Sequence, residues 1–158
     1  MTKIRIDDGT KEYKIENQYG REICRVHFRP ADLALLDRFE QVSSKLPDAL
    51  APLKDKAVRT DGTPANQTDE DWAALKAAEA EIVRQFNELL DSDDIGEVFK
   101  KHSAFSVVGG KFFCEVLLEA IGEVITEELR KEAEATQKRL AKYLPEDAQD
   151  AGAATADA

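Results

Sequence analysis

Residues 104–144 read AFSVVGGKFFCEVLLEAIGEVITEELRKEAEATQKRLAKYL, and this stretch decides the fold. It opens as a loop, passes a Gly109-Gly110 break, and then runs more than thirty residues without a proline. Phe112, Phe113, Val116, Leu117, Ile121, Val124, Ile125 and Leu129 recur at helical intervals, which predicts a long helix with one apolar stripe. Beyond Glu132 only Leu140, Tyr143 and Leu144 are large and apolar, so the second half of that helix has little to bury. Pro145 stops it, because proline cannot continue the hydrogen-bond ladder. A helix docked at one end and solvated at the other suits a part that meets other chains.

Working outward, the segment before this stretch is helical and the start of the chain is β. Leu35, Phe39, Val42 and Leu46 form one stripe, widened by Leu36, after Pro30 in a first helical turn and Asp32 at its positive end. Pro47 and Pro52 are expected to break or restart that helix. Residues 59–67, RTDGTPANQ, read as a polar, mobile loop. Thr68 and Asp71 then approximate a capping box, opening a helix to Leu90 with Trp72, Leu75, Ile82, Phe86 and Leu89 facing inward. Residues 91–94 end that helix and are expected to cap a short one over residues 95–101, anchored by Val98 and Phe99.

At the start, Ile4 and Ile6 alternate with charged residues, Asp8-Gly9 is a turn pair, and Tyr13 and Ile15 alternate again. Residues 17–20 make a second turn and residues 22–28 a third strand, with Cys24, Val26 and Phe28 on one face. The predicted fold is α+β: one domain over residues 1–144, with a three-stranded antiparallel meander (1–29), helices (30–101), and a loop with the long helix (102–144). Residues 145–158, PEDAQDAGAATADA, are expected to be a disordered acidic tail.

The 158 residues carry a net charge of −10, with 34% charged and 42% apolar residues. Residues 1–29 hold seven Lys/Arg against five Asp/Glu, about +2, so the remainder carries about −12. Such acidity repels phosphate backbones and argues against nucleic-acid binding. No apolar stretch reaches a membrane span, and MTKIRIDDGTKEY has no signal-peptide core. Cys24 and Cys114 therefore read as reduced thiols of a cytoplasmic protein.

Catalytic and metal chemistry find no support in the residues. Asp91, Asp93 and Gly96 occupy calcium-loop positions, but Ile95 and His102 stand where an oxygen ligand and a bidentate glutamate are needed. Cys24 and His27 have odd spacing on a strand and point apart, while His102 and Cys114 lack any Cys-x-x-Cys. Gly109-Gly110-Lys111 is followed by Phe112 rather than Ser or Thr, so it is not a phosphate loop. Glu115, Glu119 and Glu123 read as a solvated face. The chain is expected not to be an enzyme and to need no cofactor. Phe105, Phe112 and Phe113 are either core or the floor of a groove for another chain's apolar segment.

Taken together, these segments resemble a family. The hairpin opening IRIDDGTKEYKI, the strand-to-helix run REICRVHFRPADLALLDRFEQV with its Arg29-Pro30-Ala31-Asp32 step, the segment FKKHSAFSVVGGKFFCEVLLEAI and the ending QKRLAKYL are similar to tail assembly chaperones of long-tailed phages and prophages of Gram-positive bacteria. The similarity spans roughly residues 3–144 and is poor over residues 59–67. It departs at the end, where relatives often finish basic and this chain finishes acidic.

The resemblance implies a chaperone in the host cytoplasm that binds the tape measure protein and keeps it soluble until tail tube subunits polymerise around it. Such proteins are often made in short and frameshifted longer forms and are absent from the virion. The tail tube protein and a second copy of the chain are further candidate partners; nucleic acid and membrane are not. Phe105, Val108, Phe112, Phe113, Leu117 and Ile121 are the expected client-binding residues. Alternative readings are a structural component of the tail and an acidic inhibitor that mimics nucleic acid.

Overall fold

The computed structural model describes residues 1–51 and 69–143, with side chains in the second helix from Trp72 onward. The loop at 59–67, the break at Pro52, the capping box of Thr68 and Asp71, the stop at Pro145 and the acidic tail lie outside the described residues.

The architecture is α+β: a small N-terminal antiparallel sheet followed by helices that end in a long one. Strands β1 (Lys11–Glu16) and β2 (Glu22–Phe28) pair antiparallel, Tyr13 opposite Val26 and Ile15 opposite Cys24. Asn17 makes the turn between them, its side-chain oxygen accepting from the Tyr19 and Arg21 amides. The expected third strand does not form. Residues 1–10 form no strand, Ile4 and Ile6 are exposed, and the sheet has two strands. Asp7 and Asp8 instead bend the chain locally, each carboxylate accepting an amide two residues on, from Gly9 and Thr10. Alternation alone specified a strand, but residues 4–6 pair with neither outer edge of the two-stranded sheet.

Helix α1 (Leu33–Leu50) starts where Asp32, in extended backbone, accepts from the Ala34 amide. Pro30 lies buried before this cap rather than within the first turn. Leu35, Val42, Leu46 and Leu50 are buried, Phe39 is partly so, and Leu36 faces solvent. The helix runs through Pro47, contrary to the expected break. The packing of Leu46 and Leu50 on either side holds the proline turn in the core, and the Pro47 carbonyl still accepts from Ala51.

Helix α2 (Asp69–Leu90) packs along α1 through Ile82, Phe86, Leu89 and Leu90. Trp72, expected inside, is 54% exposed. The helix ends at Asp91, a left-handed residue at φ +50°, a conformation aspartate tolerates better than most side chains. No basic residue occupies its last turn; Arg38 of α1 supplies the cation, donating to the Leu89 carbonyl at 2.9 Å.

Helix α3 (Gly96–Lys101) buries Val98 and Phe99 as expected, but the aspartates do not cap it. Ile95 takes the cap position with no side-chain bond, and the Asp94 carboxylate is committed to His27. Strands β3 (Val107–Val108) and β4 (Lys111–Phe112) then form a minimal hairpin where a plain loop was expected. Helix α4 (Phe113–Ala141) follows directly. Its first half buries Cys114, Leu117, Leu118, Ile121 and Ile125, and residues 131–143 are exposed throughout. At Gly122 the helix passes so close to α1 that a Cβ would stand 2.7 Å from the Phe39 ring tip.

Candidate functional site

The hairpin at the head of α4 is built by backbone bonds that tie it to the body. Cys114 donates its amide to Ala104 at 3.0 Å and Phe113 to Ser106 at 2.7 Å, which closes the chain on itself. Glu79 of α2 accepts from the buried Ala104 amide at 3.1 Å. Val107 then pairs with Phe112 and Val108 with Lys111. Gly109 at φ +58° and Gly110 at φ +82° supply the two left-handed residues that a two-residue hairpin turn requires. A Cβ at either glycine would meet nothing, so the glycines serve backbone shape rather than space.

This geometry divides the six expected client-binding residues. Val108 is 49% exposed at the tip, beside Val107 at 60%, which sequence reasoning overlooked. Phe105 and Phe112 are half-buried just below, edge to face at 5.9 Å. Phe113 turns inward, where Phe99 and then Phe86 continue an aromatic chain at 6.2 and 5.3 Å. Leu117 and Ile121 belong to the core, 5% and 6% exposed, and offer no free surface in this state. Four residues therefore form the surface: Phe105, Val107, Val108 and Phe112.

Below Phe112 the surface continues into a groove of about 260 Å³ between α1 and α4, lined by Leu46, Pro47, Leu50, Leu118, Glu115 and Glu119 among others. Its floor is apolar and its rim acidic. Glu119 is held by Lys111 at 2.6 Å, which also fixes β4 over the helix. The groove wall on α1 was not foreseen, because Pro47 read as a helix end. The doublet of valines before two glycines was the available signal for the hairpin.

No family model, curated protein or solved structure matches the chain. What the site can do follows from its own chemistry.

Two polar clusters brace the sheet. His27 stands between carboxylates on two different elements, Nε2 at 2.9 Å from Glu12 of β1 and Nδ1 at 3.0 Å from Asp94 of the α2–α3 turn. Both ring nitrogens face acceptors, so the arrangement suits the doubly protonated ring; the bond to Asp94, then that to Glu12, raises the His27 pKa. Lys11 reaches Glu128 of α4 at 2.6 Å and lowers its pKa, tying β1 to the long helix. A polar cleft of about 450 Å³ adjoins this pair between residues 7–11, residues 29–32 and Glu132, with Arg29 and Asp32 paired along one wall of it at 3.4 Å.

The thiols are separate and free. Burial pushes Cys24 up and Cys114 to about 12, so neither is a ready nucleophile. Cys24 is half-buried while His27 faces out, as the odd spacing demanded. Asp91 of the calcium-like segment pairs loosely with Arg29 at 3.5 Å. Among the described residues no group of three or more His, Cys, Asp or Glu side chains is placed to hold a metal ion, and no helix is long and apolar enough to cross a membrane.

Proposed function

We propose that the chain is a non-enzymatic tail assembly chaperone of a long-tailed phage or prophage, which acts in the host cytoplasm by binding apolar helical segments of the tape measure protein. The observation that carries this reading is the exposed valine pair of the β3–β4 hairpin, continuous with the Phe105–Phe112 edge and the apolar groove between α1 and α4. The two valines, the aromatic edge and the groove form one contiguous apolar face, which is what distinguishes them from singly exposed apolar residues. A client that covered them would gain roughly 1.5–3 kcal/mol for each side chain fully buried. The net charge of −10 keeps such a chain soluble with that surface open.

The test is co-expression with a long-tailed phage tape measure protein as client. Val108→Asp changes an exposed tip, and Phe112→Asp changes the half-buried ring beneath it. Each is expected to lower the soluble fraction of the client about tenfold or more, a loss of about 1.4 kcal/mol of binding. A folded Val108→Asp protein that keeps the client as soluble as the parent does would remove this surface from the proposal.

A further inference from the structure

Past Leu129 the last helix leaves the body, and residues 131–143 lie in solvent over roughly 20 Å at 1.5 Å per residue. Arg130 supports it locally by forking to Glu127 at 2.7 Å and Glu134 at 2.6 Å. Leu129, which still packs partly against the core, and then Ala133, Thr136, Leu140 and Tyr143 recur at intervals of four, three, four and three, four of the five apolar and Thr136 small and polar. That is the seam of a coiled coil, and it is unfilled, with Leu140 at 48% and Tyr143 at 79% exposed.

The charges beside the seam say what would fill it. Residues 127–134 hold Glu127, Glu128, Glu132 and Glu134 against Arg130 and Lys131, a net of about −2, and residues 138–142 hold Lys138, Arg139 and Lys142, about +3. Glu132 and Arg139 flank the seam one heptad apart, and among the described residues neither has an ion-pair partner. An arm graded from acid to base complements its own reverse.

We infer that two copies of this chain associate through these arms as an antiparallel helix pair centred between Ala133 and Thr136. Leu129 of each copy then faces Leu140 of the other, and Ala133 faces Thr136 in the middle, where small side chains permit close approach. The same register sets Glu132 of each copy beside Arg139 of the other, making two equivalent ion pairs. A parallel pair would instead set Glu132 beside Gln137 of the other copy and leave both charges without an opposite partner. The two bodies lie at opposite ends, so both hairpin surfaces stay open.

Sedimentation of the full chain between about 1 µM and about 1 mM is expected to show the mass rising from 17.6 kDa toward twice that value. Leu140→Asp, remote from the folded body, is expected to abolish the rise without changing the melting of the body. Arg139→Glu should weaken association about tenfold, and adding Glu132→Arg should restore it. Mixed Ala133→Cys and Thr136→Cys chains, mildly oxidised, should give mainly the mixed-position disulfide. A chain monomeric throughout, a dimer indifferent to Leu140→Asp, or cross-links dominated by identical positions would each overturn the inference. So would a monomer whose Leu140→Asp variant loses only client solubility, since the seam would then face the client.

Discussion

Replacing Gly122 with alanine sets two known effects against each other at one atom. In an ordinary helix interior the change is favourable by about 0.8–1.0 kcal/mol, because glycine loses more backbone freedom. Here the new Cβ would stand 2.7 Å from Cζ of Phe39 and 3.3 Å from Cε2. Comfortable carbon contacts begin near 3.5 Å, so the ring tip must retreat by about 0.8 Å. Phe39 is packed against the core between α1 and α4, and overfilling of this kind costs about 1–3 kcal/mol. The difference is a net destabilisation of about 1 kcal/mol, or a fall of about 3 °C in Tm for a domain of this size. Urea denaturation of the wild type, Gly122→Ala, Phe39→Leu and the double variant measures it directly. Leucine lacks the ring tip, so in the Phe39→Leu background the alanine should become neutral or stabilising, a coupling of about 1 kcal/mol or more. If Gly122→Ala stabilises by the full helix-propensity gain in both backgrounds, the approach of α1 to α4 is not set by this contact. The spacing of α1 and α4 at the groove beneath Phe112 would then be set by other contacts.

The His27 clasp makes stability depend on pH with opposite signs at its two ends. The His27 pKa is raised from 6.5, so its contribution is fully present below about pH 6.5 and is lost as pH rises through the higher folded value; the Asp94 pKa is lowered from 3.8, so its contribution is present above that value and is lost as pH falls through the folded one. Urea midpoints should therefore fall between about pH 6 and about pH 9 in the wild type and fall less in His27→Gln; an equal slope in both would show that the clasp does not hold in solution. At the hairpin, Gly110→Ala meets no atom yet must adopt φ +82°, so it should cost about 1–2 kcal/mol, with Gly110→Asn recovering part of that loss. Equal midpoints for the parent and Gly110→Ala would mean that the turn is not formed.

How much of this was legible in the residues depended on whether the deciding partner was near in sequence. The stripes of α1 and α4 and the end of α2 are local patterns, and Leu35, Val42, Ile82, Phe86 and Ile125 lie where helical spacing puts them. The turn at Asn17 and the strand carrying Val26 and Phe28 were equally local. The errors share a cause. Ile4 and Ile6 have a strand's alternation, but a strand also needs an edge, and no local pattern announces one. Pro47 breaks isolated helices, yet Leu46 and Leu50 are anchored in the core on both sides of it. Asp94 suits a helix cap by type, but His27, 67 residues away, takes its carboxylate.

The same distinction separates the parts of the candidate site. Leu117 and Ile121 share a helical face with Phe113, and that face turns inward, toward Phe99 and Phe86. Phe112 and Val108 lie outside that periodicity because β3 and β4 interrupt it, and they remain at the surface. The two left-handed glycines reverse the chain immediately before α4, so the helix begins one residue after Phe112 instead of including it. Without that reversal Phe112 would enter the helix, near the buried face with Phe113, and Val107 and Val108 would have no strand to pair with. A surface that depends on a turn rather than on a stripe is more sensitive to Gly110 than to any single apolar residue. Gly110→Ala should accordingly reduce client solubility as well as stability, even though the glycine itself touches nothing.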